Sequence, residues 1–417
     1  MRLEKPKYIA RAKFGIIATL FLATTTLTQP AKAKPKFKVL HKFHWTDGAG
    51  PVGALVRDAA GNLYGVTGGG GNHVCTQGCG TAFKLDESGK QVWLHSFNGK
   101  NGLGPEAGLL RDSLGNLYGT TMLGGDVNCK EVSLGCGTVF KLNAMGRETL
   151  LYKLKGKPDG WAVDSPVARD TKGNLYATTE YGGPYEAGVI LKVTPDGDET
   201  VLYNFTGDSD GCRPVGVILD AVGNLYGAAE LGGSGTFCSG DGLIFKLDTT
   251  GNFTVLYRFG GSDGSAPDSI LILDADGNLY GTTGYGGSSN ICTYGCGTVF
   301  ELTPSQQENV LYSFCSLSNC EDGQYPGGGP LVRDSNGNLY GTTDLGGAYR
   351  NCNQDTCGVV FKLDSAGNET VLHSFTGGAD GAFPYAGLVM DDSGYLYGTT
   401  WQGGTRTVVS TSSPAVE

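Results

Sequence analysis

Short apolar runs recur along this chain in a fixed order, each bounded by polar turn residues. The clearest copy reads 330–334 (PLVRD), 338–343 (NLYGTT), 358–363 (GVVFKL) and 369–375 (ETVLHSF). Each run is five to seven residues long and rich in Val, Leu, Tyr, Phe and Thr, which suits short strands better than helices. Asp-Ser-Asn-Gly separates the first two runs and Asp-Ser-Ala-Gly-Asn the last two. In both, Gly accepts positive φ and Asp ties its side chain to the turn backbone. The pattern predicts a four-stranded antiparallel meander.

The second run returns seven times, with its tyrosine at Tyr64, Tyr118, Tyr176, Tyr226, Tyr280, Tyr340 and Tyr397, at intervals of 50 to 60 residues. A period of that length marks a repeat architecture. Apolar residues on both strand faces suit sheets packed between neighbouring sheets, and radial closure leaves no sheet edge exposed at either end. The first recognisable run, 37–43 (FKVLHKF), is a fourth strand with no unit before it. The last unit holds 387–391, 395–400 and only a degenerate third strand near 406–410. The two incomplete ends complement one another. The expectation is an all-β, seven-bladed β-propeller of four-stranded antiparallel blades, spanning residues 34–410, closed by its N-terminal strand and followed by a short tail at 411–417.

Ahead of the repeats, Arg2, Lys5, Lys7, Arg11 and Lys13 precede an apolar run at 14–27, and Ala31-Lys32-Ala33 places small residues two apart. This reads as a signal peptide over residues 1–33, cleaved after Ala33, so the expected location is secreted or periplasmic. No second apolar stretch approaches spanning length, so no membrane span is expected after cleavage. Without residues 1–33 the chain holds 25 Lys plus Arg against 40 Asp plus Glu, a net charge of −15. A nucleic-acid partner is excluded by that balance.

Twelve cysteines fit export and fall into near neighbours: Cys75/Cys79, Cys129/Cys136, Cys292/Cys296, Cys315/Cys320 and Cys352/Cys357, with Cys212 and Cys238 left over. A structural zinc site needs four ligands, and the ligands close in sequence to each pair fall short of that number. The reading is six disulfides, Cys212 with Cys238 included. All twelve lie in loops from the second strand to the third, or in loops leaving the fourth strand. In a propeller blade those loops emerge on one face.

The phrases Asn-Leu-Tyr-Gly-Thr-Thr (116–121, 278–283, 338–343), Gly-Thr-Val-Phe (137–140, 297–300) and Val-Leu-Tyr-Ser-Phe (310–314) resemble the GloVer tandem-repeat family, described as choice-of-anchor. The resemblance covers nearly all of residues 37–404 and implies an exported bacterial repeat protein of unassigned activity. The tail after Gly404 shows no sorting signal or hydrophobic anchor of the kind that the family's description implies.

Asp-Gly followed by Pro recurs after the fourth strand: Asp47-Gly48 with Pro51, Asp210-Gly211 with Pro214, Asp263-Gly264 with Pro267, Asp322-Gly323 with Pro326 and Asp380-Gly381 with Pro384. Such a ring of carboxylates could hold Ca²⁺, although a turn in which Asp caps and Gly bends accounts for the same residues. No other cofactor is indicated. Residues that break the repeat are better candidates for function, because the fold does not ask for them. After the Thr-Thr phrase stand Glu180, Glu230, Asp344 and Trp401. Near the start of the innermost strands come Glu106, Asp164, Asp268 and Tyr385, and Trp161 and Arg213 lie in the adjoining loops. Acids and aromatics around a shallow mouth suit a polysaccharide, a cationic ligand or an envelope protein.

Catalytic templates find little. His41, His95 and His373 take the place of tyrosine in the fourth strand, and His44 and His73 are isolated. No Gly-x-Ser-x-Gly elbow, histidine metal pair or P-loop lysine occurs, so no catalytic residue is assigned. The leading expectation is an exported binding or scaffold protein that uses the cysteine-bearing face. The alternative is a carbohydrate-active lyase or hydrolase with a carboxylate pair drawn from Glu106, Glu180 and Glu230.

Overall fold

The aspartate that ends each first strand and the Asn-Leu-Tyr that opens each second strand form one hydrogen-bonded unit. Asp58 Oδ1 accepts the backbone N–H groups of Ala60 and Asn62 at 3.0 and 2.9 Å, while Oδ2 accepts Asn62 Nδ2 at 2.8 Å and the Tyr64 hydroxyl at 2.9 Å. The same set recurs at Asp112–Tyr118, Asp170–Tyr176, Asp220–Tyr226, Asp274–Tyr280 and Asp334–Tyr340. Burial works to raise these carboxyls, but the bonds from Asn and the turn backbone, joined by Tyr at all but Asp220, outweigh it and hold them below the ordinary range. The repeat phrase is therefore a turn lock, as the sequence suggested for these aspartates.

A computed structural model of the protein describes residues 37–72, 74–126, 128–352, 356–403 and 407–412. The expected leader (1–33), His73 and the end of the tail (413–417) lie outside the described residues. Within them the chain is an all-β propeller whose strands pair antiparallel in seven sheets. The first blade, Val56–Arg57, Leu63–Thr67, Thr81–Leu85 and Gln91–Ser96, sets the pattern. Its inner strand is two residues long, its second and third strands are almost wholly buried, and its fourth is half-buried. Blades two to six occupy residues 110–153, 168–204, 212–258, 272–313 and 324–374. The sixth carries an extra strand, Gln324–Pro326, on Leu339–Leu345. No helix among the described residues is long and apolar enough to cross a membrane.

The expected seven-bladed ring, closed by its N-terminal strand, is corrected on both counts: the blades each drawn from one unbroken stretch of chain number six, not seven, and the N-terminal strand does not close the ring. The remaining sheet is a composite of both ends, in the order Val389–Met390, Tyr395–Thr399, Thr407–Ser412, Phe37–Lys42. The N-terminal strand stands at the outer edge of that sheet and its backbone pairs with Thr407–Ser412 alone. That third strand also runs to Ser412, into what was read as tail. The circuit itself is joined by sheet faces across the full width of the composite. Arg57 of the first blade lies 3.8 Å from Asp391 and over the Tyr397 ring, and Thr399 Oγ1 donates to the Pro51 carbonyl at 3.4 Å. Leu40 and Phe43 supply only the outer part of this contact. Completing a sheet edge and closing a ring are separate tasks, and a sequence read for missing strands reports only the first.

The same arginine contact links other neighbours: Arg111 reaches Asp58 and the Tyr64 ring, Arg169 covers Tyr118, and Arg333 reaches Asp274 and Tyr280. Packing within a blade rests on the glycine of the Leu-Tyr-Gly phrase. A Cβ on Gly65 would lie 2.6 Å from Phe83 Cζ, and on Gly119, Gly227, Gly281 and Gly341 as close to Phe140, Phe245, Phe300 and Phe361. These phenylalanines are fully buried. The small residue and the ring opposite it are one requirement, and neither position is available for function.

Candidate functional site

The fourth strand leads into the loops that build the cysteine face. Its tyrosine, or the histidine replacing it, bonds the aspartate of the following Asp-Gly: Tyr203 to Asp210 at 2.9 Å, Tyr312 to Asp322 at 2.8 Å, His373 with Asp380 at 3.1 Å and His41 with Asp47 at 3.2 Å. The same carboxyls accept backbone N–H groups, such as Thr206 on Asp210 and Ser316 on Asp322. The Asp-Gly ring is thus engaged in turns of its own blades, and the histidines serve as tyrosine equivalents. The glycine that follows packs against the Thr-Thr phrase; a Cβ on Gly48 would lie 2.6 Å from Thr67 Cγ2.

Two residues past that glycine, every repeat has a residue in the left-handed region: Gly50 (φ 62°), Gly104 (64°), Ala162 (59°), Arg213 (54°), Ala266 (53°), Tyr325 (54°) and Phe383 (56°). For a side chain larger than glycine this costs about 1 kcal/mol or more. The carbonyl of this residue receives the N–H of the residue after Thr-Thr, at 2.8 to 3.0 Å for Gly68, Met122, Glu180, Gly284 and Trp401. The repeat fixes these backbones and leaves their side chains open to choice. Two residues further on lies an inner ring of Val52, Glu106, Asp164, Val215, Asp268, Gly327 and Tyr385.

Most of the residues singled out in the sequence meet here. A cavity of about 330 Å³ is lined by Asp164, Glu180, Arg213, Glu230, Asp268, Asp344 and Tyr385 together with Tyr285 and Tyr325. A wider, more open one of about 1100 Å³ shares Asp344 and Tyr385 and adds Glu106, Trp401, Trp45, Leu103, Leu123 and Leu134. Trp161 lines neither. Its ring stacks on Tyr181 at 4.3 Å, and Tyr181 in turn lies 5.2 Å beneath the Arg213 guanidinium, so Trp161 supports the platform for Arg213. Trp45, Tyr285 and Tyr325 were missed. For Tyr325 a signal existed, since it occupies the position that is glycine in the first two repeats.

Charge is distributed unevenly around the mouth. Arg213 sits between Glu180 at 3.5 Å and Glu230 at 3.8 Å, and among the described residues it is the one cationic side chain lining either cavity. Burial, then the charges of Glu230 and Asp344, pushes the Asp268 carboxyl up to about 8, and its Oδ1 is shielded from solvent without a hydrogen-bond partner among the described residues. Asp164 keeps contact with solvent but is recessed among protein atoms. That position, and then the carboxylates of Glu180, Glu106 and Glu230, raises it to about 7. Burial also raises Glu106, and raises Glu230 against the pull of Arg213. Carboxyls dominate the arc from the second to the sixth blade, while Trp45, Tyr385 and Trp401 occupy the rest.

The loops that carry these residues are stapled by Cys75–Cys79, Cys129–Cys136, Cys212–Cys238, Cys292–Cys296, Cys315–Cys320 and Cys352–Cys357, and no cysteine among the described residues is free. These are the six pairs read from the sequence. Residues 23–129, 127–318 and 288–410 each match the model of the Gloeobacter/Verrucomicrobia repeat. The chain belongs to that repeat family. No curated protein matches it in sequence. Among solved structures it is similar to two extracellular domains assigned to hybrid two-component systems of B. thetaiotaomicron. One aligns at 12% identity and TM-score 0.57, the other at 13% and 0.54, each over 92% of this chain. The chain spans only 40% and 42% of the length of those structures, so the likeness concerns the propeller fold alone.

Proposed function

We propose that this protein is an exported binding propeller that takes its ligand at the cysteine-bearing mouth, with a polysaccharide, a cationic ligand or an envelope protein as the natural partner. The observation that carries the reading is the convergence of side chains that the repeat does not require. Glu180, Glu230, Asp268, Asp344 and Tyr385 line one cavity of the mouth, and Asp344 and Tyr385 line the wider one together with Trp401. Carboxylates offer hydrogen bonds and rings offer stacking area, while the rigid blades hold both. Six bridges suit an oxidising compartment, and the fold is one that extracellular domains of other proteins share.

The test is a glycan and peptide array probed with the protein, once with Ca²⁺ and once with a chelator. A ligand should be retained, and the triple variant Glu180→Ala, Glu230→Ala, Trp401→Ala should lose it while melting within a few degrees of the parent. Full retention by the triple variant, or its unfolding, would remove the mouth from consideration.

A further inference from the structure

The narrower cavity combines two kinds of side chain that together recognise one chemical group. Tyr285, Tyr325 and Tyr385 contribute three rings, Tyr285 and Tyr325 meeting edge to face at 5.4 Å between centroids. Asp164, Asp268 and Asp344 contribute carboxyls on the same walls. The two glutamates nearest Arg213 already have a counter-charge, whereas Asp268 lines the cavity with no cation beside it, and its recessed Oδ1 atom has no hydrogen-bond partner among the described residues. Rings attract a cation through their negative faces, and carboxylates add direct charge, most strongly where water is thinned out. The wider cavity continues from Asp344 and Tyr385 onto Leu103, Leu123 and Trp401, a surface for carbon.

Resting on the mouth as the binding site, we infer that the ligand bears an organic ammonium group held by Tyr285, Tyr325, Tyr385 and Asp268, with an apolar body laid toward Trp401. An anionic ligand would meet the carboxyls unshielded. A neutral sugar would use the rings but leave the buried carboxyl without a charged partner. The long-range field agrees, since the chain without residues 1–33 carries a net charge of −15.

The experiment is isothermal titration of the intact protein at pH 9, where the Asp268 carboxyl is ionised, in 0.15 M salt with hexyltrimethylammonium, hexyl glucoside and hexanoate, and with tetramethylammonium as the head group alone. Hexyltrimethylammonium should bind one to one, at least tenfold more tightly than hexyl glucoside or tetramethylammonium, and hexanoate should not bind. Asp268→Asn and Tyr285→Ala should each weaken it tenfold or more, with circular dichroism confirming that they fold. Equal affinity for the glucoside and the ammonium, indifference to both substitutions, or several weak sites that vanish with salt would overturn the inference. Should the array find a neutral oligosaccharide that the triple variant no longer holds, while hexyltrimethylammonium fails to bind, the mouth stands and the ammonium assignment falls.

Discussion

Ala177 lies directly opposite Leu191 in the third blade, at the register where five other blades set a glycine against a phenylalanine. A methyl group added on one strand is matched by a smaller, rounder side chain on the other, as expected for an interior packed without slack. Gly341→Ala should therefore lower the denaturation midpoint by an amount corresponding to roughly 1 to 3 kcal/mol. Combining it with Phe361→Leu should recover part of that loss. A single variant that denatures with the parent would show that the pairing is not steric.

Arg213 combines a strained backbone with two ion pairs, and the two can be separated. Arg213→Ala removes the charge and keeps a Cβ at φ 54°. Arg213→Gly removes both. The glycine variant should be the more stable of the two by about 1 kcal/mol or more. Equal melting temperatures would mean that the loop relaxes out of the left-handed region once the guanidinium is gone.

At the outer rim, burial and then the Asp322 carboxylate of the preceding blade push Glu369 up to about 8; burial and then Asp263 push Glu308 to about 7. A carboxyl whose folded pKa lies above its unfolded value binds its proton more tightly in the native state. Stability is then greatest below the unfolded value and falls as pH rises toward the folded one. The turn aspartates act oppositely, since their folded pKa is lowered, and their contribution is lost as pH falls below the ordinary carboxyl range. Thermal melting followed from pH 5 to 8 should show a declining melting temperature. Glu369→Gln should flatten that decline and exceed the parent at pH 8. A melting temperature that climbs over this interval would refute the assignment.

The bridges should differ in worth. Cys212–Cys238 closes a separation of 26 residues and Cys75–Cys79 one of only 4. On chain-entropy grounds, replacing both cysteines of the longer loop by serine should cost roughly 1 to 2 kcal/mol more than the same change in the shorter. Denaturant midpoints of the two double variants decide the point. Non-reducing peptide mapping should return the six local pairs, and a bond between distant blades would contradict the fold.

Turns and cores were readable because each is local or strictly periodic. Asp58, Asn62 and Tyr64 lie within seven residues of one another, and Gly65 and Phe83 repeat together. The rim acids could be found because they interrupt that periodicity. What escaped was of two kinds. Tyr325 stands where the first two repeats have glycine, but that its ring reaches the mouth depends on a left-handed backbone that its own residue type does not announce. Contacts such as Tyr152 with Glu199 or Arg57 with Asp391 join residues from different blades, and their proximity is set by the angle between sheets rather than by any spacing in the chain.

The left-handed position at the mouth has a consequence for how such a protein can change. Within this one molecule it already accommodates Gly, Ala, Arg, Tyr and Phe on the same backbone. Seven sites of this sort form an alphabet that can be rewritten letter by letter, because exchanging one leaves the turn lock of its repeat, and the glycine–phenylalanine pair where there is one, untouched. A lineage built on this repeat could acquire a new ligand through a handful of rim substitutions, each tried without first risking the fold.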